Sequence, residues 1–272
     1  MSDTTALSRG QRWLRALAGE PIGAAPIWHA DAPLGDEPAR FIAVVPDPTN
    51  RFPRARDNVV GLEQGWHLAQ AVRAVVEADA HAPRRRPIVA IVDVKSQAYG
   101  YREEMLGIHL ACAAAVDAYA SARLAGHPVV ALIVGPAMSG AFLAHGYQAN
   151  RILALDAPGT MVHAMGKEAA ARVTRRCVEA LDALGETITP MSYSLTGFAK
   201  LGLLDRLIEQ VDADAPTQEQ ITRVHRALAD AASSARADAA DLSHRLDSDA
   251  ARATRAASIE VRRRLALQWD AV

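Results

Sequence analysis

The stretch Val129–Gly146, VVALIVGPAMSGAFLAHG, constrains this chain more than any other. Val129–Val134 is an apolar run of strand length, rich in β-branched residues, and predicts a buried strand. Gly135-Pro136-Ala137-Met138-Ser139-Gly140-Ala141 predicts a turn of small residues, and Phe142-Leu143-Ala144 the start of a short helix that stops near Gly146. A helix start leaves backbone N–H groups without intrahelical partners, and these carry partial positive charge. With Gly140 and Ala141 there, little side chain keeps another molecule away from the donors. Such a turn can hold a developing oxyanion, and losing one such donor typically costs about 10²–10³ in rate. Close packing of a helix on a sheet needs the same small residues, so the turn alone leaves both readings open.

A second unit follows at once. Arg151–Asp156 predicts a strand, Ala157-Pro158-Gly159 a turn, and Met165-Gly166 the entry to a helix that runs from Lys167 to about Leu184-Gly185. Upstream, Phe41–Val45 and Pro87–Val94 predict strands, the second apolar enough to be buried on both faces. Gly61–Glu77 has helical periodicity, and Tyr101–Leu124 predicts one long helix with Ile108, Cys112, Val116 and Tyr119 on a shared face. Strands alternating with helices imply a parallel sheet with right-handed crossovers, and ligands in such sheets sit at the carboxyl ends of strands. Lys95–Gly100 and Gly135–Ala141 are then expected side by side. Leu203–Val211 predicts the last strand.

The chain divides at changes of composition. Residues 1–40 predict an N-terminal arm, with one short helix around Trp13–Leu17 and a Pro/Gly/Ala-rich segment that suits an irregular arm or a strand pair. Residues 41–212 hold the core. Residues 213–272 are rich in Ala, Arg and Asp, lack glycine, and predict two helices split near Asp241–Asp249, packed on the core or on a partner chain. Net charge is −1 over 272 residues, which gives no bulk electrostatic reason to expect nucleic acid or an anionic membrane. No apolar run reaches transmembrane length, and Met1–Gly10 lacks the apolar centre of a secretory signal. Cys112 and Cys177 read as two buried, reduced thiols of a cytoplasmic protein. His109 and Cys112 could share a helix face, but one such pair is too few ligands for a metal site.

His127–Arg172 resembles the carboxyltransferase subunits of acyl-CoA carboxylases. The quoted features are Met138-Ser139-Gly140-Ala141, the Ile152–Asp156 strand and the helix entry Ala164-Met165-Gly166, with Asp93-Val94-Lys95-Ser96, Tyr99-Gly100 and Glu103 or Glu104 upstream. The match spans about Pro87–Asp212 and implies a crotonase-like (ClpP/crotonase) ββα superhelix carrying a C-terminal helical extension. The strings Gly140-Ala141-Phe142-Leu143-Ala144-His145-Gly146 and Met161-Val162-His163-Ala164-Met165-Gly166 resemble one branch still more, the gamma subunit of biotin-independent malonate decarboxylase. Lys95-Ser96 departs from the carboxylase pattern, which has Pro-Gly there.

The resemblance implies a carbon–carbon lyase subunit. With a beta subunit as heterodimer partner it would decarboxylate malonyl-S-acyl carrier protein to the acetyl thioester and CO2. The malonyl group would be presented on the CoA-like prosthetic group of the carrier protein, with no cofactor bound by this chain and no biotin expected. The acyl carrier protein subunit and the acyl-carrier-protein transferase subunit are the further implied partners. The expected catalytic positions are Gly140 and Ala141 as donors, with Ser139, Tyr99 and His163 as candidates for delivering a proton; Met138, Gly100, Met165 and Gly166 are expected at the substrate. Each candidate also has a structural reading: Ser139 as a helix cap, Tyr99 as a packing aromatic, His163 as a core histidine. The alternatives are a biotin-dependent carboxyltransferase subunit and a non-catalytic partner subunit. A serine protease of the same superfamily is rejected, because Met138 stands where its nucleophile would. A hydratase or isomerase would carry paired carboxylates; Glu103 and Glu104 suit a helix end instead.

Overall fold

The two continuous apolar runs form neighbouring central strands, and their side chains separate by parity. In β4 (Ile88–Val94) and β6 (Val129–Met138), Ile88, Ala90, Val92, Val129, Ala131 and Ile133 enter one core, while Val89, Ile91, Val130, Leu132 and Val134 enter a second on the opposite face. The period of two along a strand makes this division. Fully burying one such side chain is worth roughly 1.5–3 kcal/mol.

The computed structural model describes residues 7–238 and 240–269. The start of the predicted arm at 1–6, and positions 239 and 270–272 of the predicted extension, lie outside the described residues. In chain order the other elements are α1 (Arg9–Ala18), β1 (Ile27–Leu34), β2 (Glu37–Val44), β3 (Val59–Val60), α2 (Leu62–Ala78), β5 (Ser96–Gln97), α3 (Tyr101–Met105), α4 (Ile108–Leu124), α5 (Ser139–Ala144), β7 (Arg151–Leu155), β8 (Met161–His163), α6 (Lys167–Thr174), α7 (Val178–Thr187), α8 (Leu195–Lys200), β9 (Arg206–Ile208), α9 (Gln218–Ala237), α10 (Asp249–Thr254) and α11 (Ala256–Trp269). The main sheet has the order β1-β2-β4-β6-β7-β9, with β8 paired to the far end of β6; only β1–β2 is antiparallel. β3 and β5 form a separate parallel pair. Helices α2 and α4 cover the first face through Leu68, Val72, Ala115 and Tyr119, and α1 and α9 cover the second through Trp13, Leu14, Val224 and Leu228. Gly65 permits the close crossing of α2 and α4, since a Cβ there would lie 2.6 Å from the Ala111 backbone. The fold is the expected α/β, crotonase-like one.

Several local expectations need correction. The division at residue 40 is not a boundary in the packing: α1 and β1 contribute Trp13, Leu14, Ala30 and Leu34 to the second core, and the Trp13 indole N–H donates to the Ala213 carbonyl at 3.0 Å. The α9 side chains belong to that same core, so no boundary at 212 is visible there either. The long helix from Tyr101 breaks at Leu106-Gly107, where Gly107 adopts φ 80° and caps α4. The helix from Lys167 breaks at Arg175, whose left-handed backbone (φ 53°) closes α6 without a glycine to announce it. Cys112 is only half-buried and Cys177 is exposed at the start of α7.

The most consequential correction concerns β6. The strand does not stop at Val134 but runs to Met138. Its pairing with β4 jumps from Val92–Ile133 to Val94–Ala137, a bulge that accommodates Gly135 and Pro136. Beyond the bulge Pro136, Ala137 and Met138 pair with Met161, Val162 and His163 of β8. The bulge thus sends the end of the central strand toward a new neighbour and sets His163 opposite Met138.

Candidate active site

The segments after β4 and after β6 do meet. Tyr99 Oη lies 2.6 Å from Ser139 Oγ. Ser139 is the first residue of α5 and has φ 60°, a left-handed conformation uncommon outside glycine and costing on the order of 1–3 kcal/mol. Its side chain does not cap the helix; the capping position is Met138, which has no oxygen to offer. The N–H groups of Gly140 and Ala141 donate to no described residue, as expected of a first helical turn.

The space above Gly140 is not open, contrary to expectation. Gln97 Oε1 lies 1.6 Å from where a Cβ on Gly140 would be. Glycine at 140 therefore answers first to the carboxamide of Gln97. The Ala141 methyl, fully buried in the first core, points away from solvent.

Ser139, Gly140, Leu143, Val162, His163 and Phe198 border an apolar cavity of about 380 Å³. Phe142 backs it, edge-on to Tyr147 and Phe198 at 5.5 and 6.1 Å. His163 stacks on Tyr193 with ring centres 3.8 Å apart, and its Nδ1 sits 3.0 Å from the Met165 carbonyl and 3.2 Å from the Met165 nitrogen. The Tyr193 hydroxyl donates to the same carbonyl at 2.7 Å. Burial lowers the His163 pKa, outweighing the Met165 hydrogen bond, so the ring is neutral at pH 7. Ser139 is engaged by Tyr99 and His163 by Met165, so no Ser–His pair of hydrolase type exists here.

Two buried polar groups hold the strand ends beneath the turn. Asp93 accepts from the Gly10 N–H at 3.1 Å and from Asn58 Nδ2 at 2.9 Å, and its other oxygen packs on Gly135, where a Cβ would approach to 2.3 Å. Desolvation raises its pKa. His145, fully buried after α5, places Nε2 2.9 Å from the Ile91 carbonyl and Nδ1 3.0 Å from Tyr119 Oη. A carbonyl only accepts, so Nε2 carries the proton and Tyr119 donates to Nδ1. Burial pushes the His145 pKa down to about 4.

A family model described as the malonate decarboxylase gamma subunit matches residues 55–269. The chain belongs to that family. It is 54% identical to a chain of a Pseudomonas malonate decarboxylase hetero-tetramer solved in complex with coenzyme A, over 96% of this chain and 100% of that one, with a TM-score of 0.91. A Pseudomonas MdcD-MdcE hetero-dimer of malonate decarboxylase gives 53% identity and a TM-score of 0.88, again over 96% and 100% of the two chains. The malonyl-S-ACP:biotin-protein carboxyltransferase of Malonomonas rubra is 38% identical over 66% of this chain; the chain spans 63% of that relative's length.

Within this gamma-subunit framework the structure brings Tyr99, Ser139, Gly140 and Ala141 to one turn, and His163 and Met138 across one strand pair. Met165 touches His163 through its backbone. Gly166 caps α6 and is exposed, with nothing within 4 Å of a Cβ there. Gly100 stands apart: a Cβ on it would meet Glu103 Oε2 at 2.2 Å and Arg54 Nε at 2.9 Å, so that glycine answers to its neighbours. Tyr99 is half exposed and hydrogen-bonded, so it is not a packing aromatic. Sequence reading missed Gln97 and Tyr193. Gln97 sits inside the turn already singled out, but only the Gly140 contact marks it; Tyr193 carried no signal, because its stacking depends on the chain returning after α7.

Proposed function

We propose that this gamma-type chain forms, with a beta-type subunit, the site that decarboxylates a malonyl thioester held on an acyl carrier protein. The free N–H groups of Gly140 and Ala141, at the end of the central strand of a malonate decarboxylase gamma-family chain, carry the reading. When the C–C bond breaks, its electron pair moves onto the thioester as an enolate and CO2 leaves. Fixed N–H donors facing the thioester oxygen stabilise that charge more than they stabilise the ground state, whose charge sits on the departing carboxylate. The enolate carbon then takes a proton, so the reaction consumes one. Tyr99 and Ser139 form a hydroxyl pair from which that proton can be relayed, and neutral His163 faces the same cavity. No step needs biotin. The relatives solved as hetero-dimer and hetero-tetramer support a shared site, as do the exposed apolar side chains Tyr101, Met105, Leu106 and Leu110 just after Tyr99.

The test separates a site from a scaffold. Gly140→Val in a complex of beta-type and gamma chains displaces Gln97 and the turn; decarboxylation should fall by about 10²–10³ while the two chains still co-elute. Undiminished turnover would make this chain a structural partner instead.

A further inference from the structure

Gln97 is placed more firmly than a loop residue needs to be. Its backbone is held by the β3–β5 pair, where it stands opposite Val60 and the following Ala98 N–H donates to the Val60 carbonyl at 2.9 Å. Its side chain runs back over α5, so that a Cβ on Gly140 would lie 1.6 Å from Oε1, 2.8 Å from Cδ and 3.6 Å from Nε2. Yet this carboxamide, half-buried, forms no hydrogen bond with any described residue. An amide offers two donors and a carbonyl acceptor. Here it is set beside a residue whose own N–H is also unpartnered, and two positions before the Tyr99–Ser139 pair. Its lack of charge suits the reaction. A cation would bind the malonyl carboxylate before it leaves and hold the ground state down, whereas neutral donors aimed at the thioester oxygen gain strength as the enolate forms.

Resting on the decarboxylase reading above, we propose that Gln97 is a substrate-contacting residue, whose Nε2 N–H donates to the same developing oxyanion as the Gly140 N–H. Gly140 is then glycine because the Gln97 carboxamide must pass over it, its Oε1 nearest and its Nε2 beyond.

The test uses the assembled beta–gamma complex with malonyl-carrier protein, wild type beside Gln97→Met and Gln97→Glu. Methionine keeps the length and removes the donors; kcat should drop by roughly 30-fold or more, with KM within about threefold. Glutamate presents an ionised, acceptor-only group at neutral pH and regains a donor when protonated. Its kcat relative to wild type should be lowest near pH 7.5 and rise at least about tenfold toward pH 5. A purely space-filling role predicts an unimpaired methionine variant and no such recovery, and either result overturns the proposal. Failure of the methionine variant to assemble overturns it too, by assigning the side chain to packing. An inactive wild-type complex defeats the decarboxylase reading and the Gln97 assignment with it, whereas an active wild type beside an equally active methionine variant removes Gln97 alone.

Discussion

At residue scale, the site is a set of close approaches around one turn, and single atoms decide what it can do. Tyr99→Phe deletes one hydroxyl, leaving Ser139 strained and without its partner. In the assembled complex this substitution should lower kcat by about 10-fold or more while leaving KM and assembly unchanged, if the pair relays the proton; steady-state kinetics would show it. His145 supplies a stability prediction with a definite sign. Its folded-state pKa of about 4 lies below the ordinary value of 6.5, so below pH 6.5 the unfolded chain binds the proton that the folded chain refuses. Stability from this residue is complete above pH 6.5 and lost as pH falls toward 4, by an amount on the order of 3 kcal/mol. Denaturant titrations across that window should show the loss, and His145→Gln should flatten it while lowering stability at pH 7. Some of this was legible in the sequence. Small residues at a strand end announce a turn, and an aromatic and a hydroxyl from two adjacent strand ends can be expected to meet. The positive φ of Ser139, the carboxamide above Gly140 and the tautomer of His145 all depend on partners far along the chain, which no local pattern encodes.

At the scale of elements, the bulge in β6 organises the rest. It converts a strand that would have ended at Val134 into one that continues to Met138 and recruits β8. Apolar runs and β-branched residues revealed the strands, because burial on both faces is written directly into composition. The helix breaks at Gly107 and Arg175 were hidden for opposite reasons. Gly107 sits in a run that keeps helical periodicity on both sides, and Arg175 adopts a left-handed backbone with a side chain that gives no warning. The α2–α4 crossing allows a direct check. Gly65→Ala puts a methyl 2.6 Å from the Ala111 backbone, which must be relieved by separating two helices. The expected destabilisation is about 1–3 kcal/mol, read as a lower denaturation midpoint; an unchanged midpoint would mean the helices are free to shift.

At the scale of the whole molecule, one face of the sheet is closed by helices from the N-terminal and C-terminal parts of the chain, the other by α2 and α4. α1 and α9 cover the same face, and Arg9 binds Asp214 with a bidentate pair at 2.6 and 2.7 Å. The C-terminal α11 differs, burying none of its residues and exposing Val261, Leu265, Leu267 and Trp269. Ending the chain after Thr254 should therefore leave the denaturation midpoint of the isolated chain within about half a kcal/mol of wild type. Composition set residues 213–272 apart as a helical extension, but it could not show that α9 belongs to the core and α11 does not, since apolar residues recur at loosely helical spacing through both. A site shared by two chains is tested by reconstitution. Malonyl-carrier protein is mixed with this chain, with a beta-type subunit, and with both, in the absence of biotin, and acetyl thioester is followed by mass spectrometry. Product is expected only from the pair. No product from the pair until a biotin carrier is added, with the carboxyl group then recovered on that carrier, would contradict it.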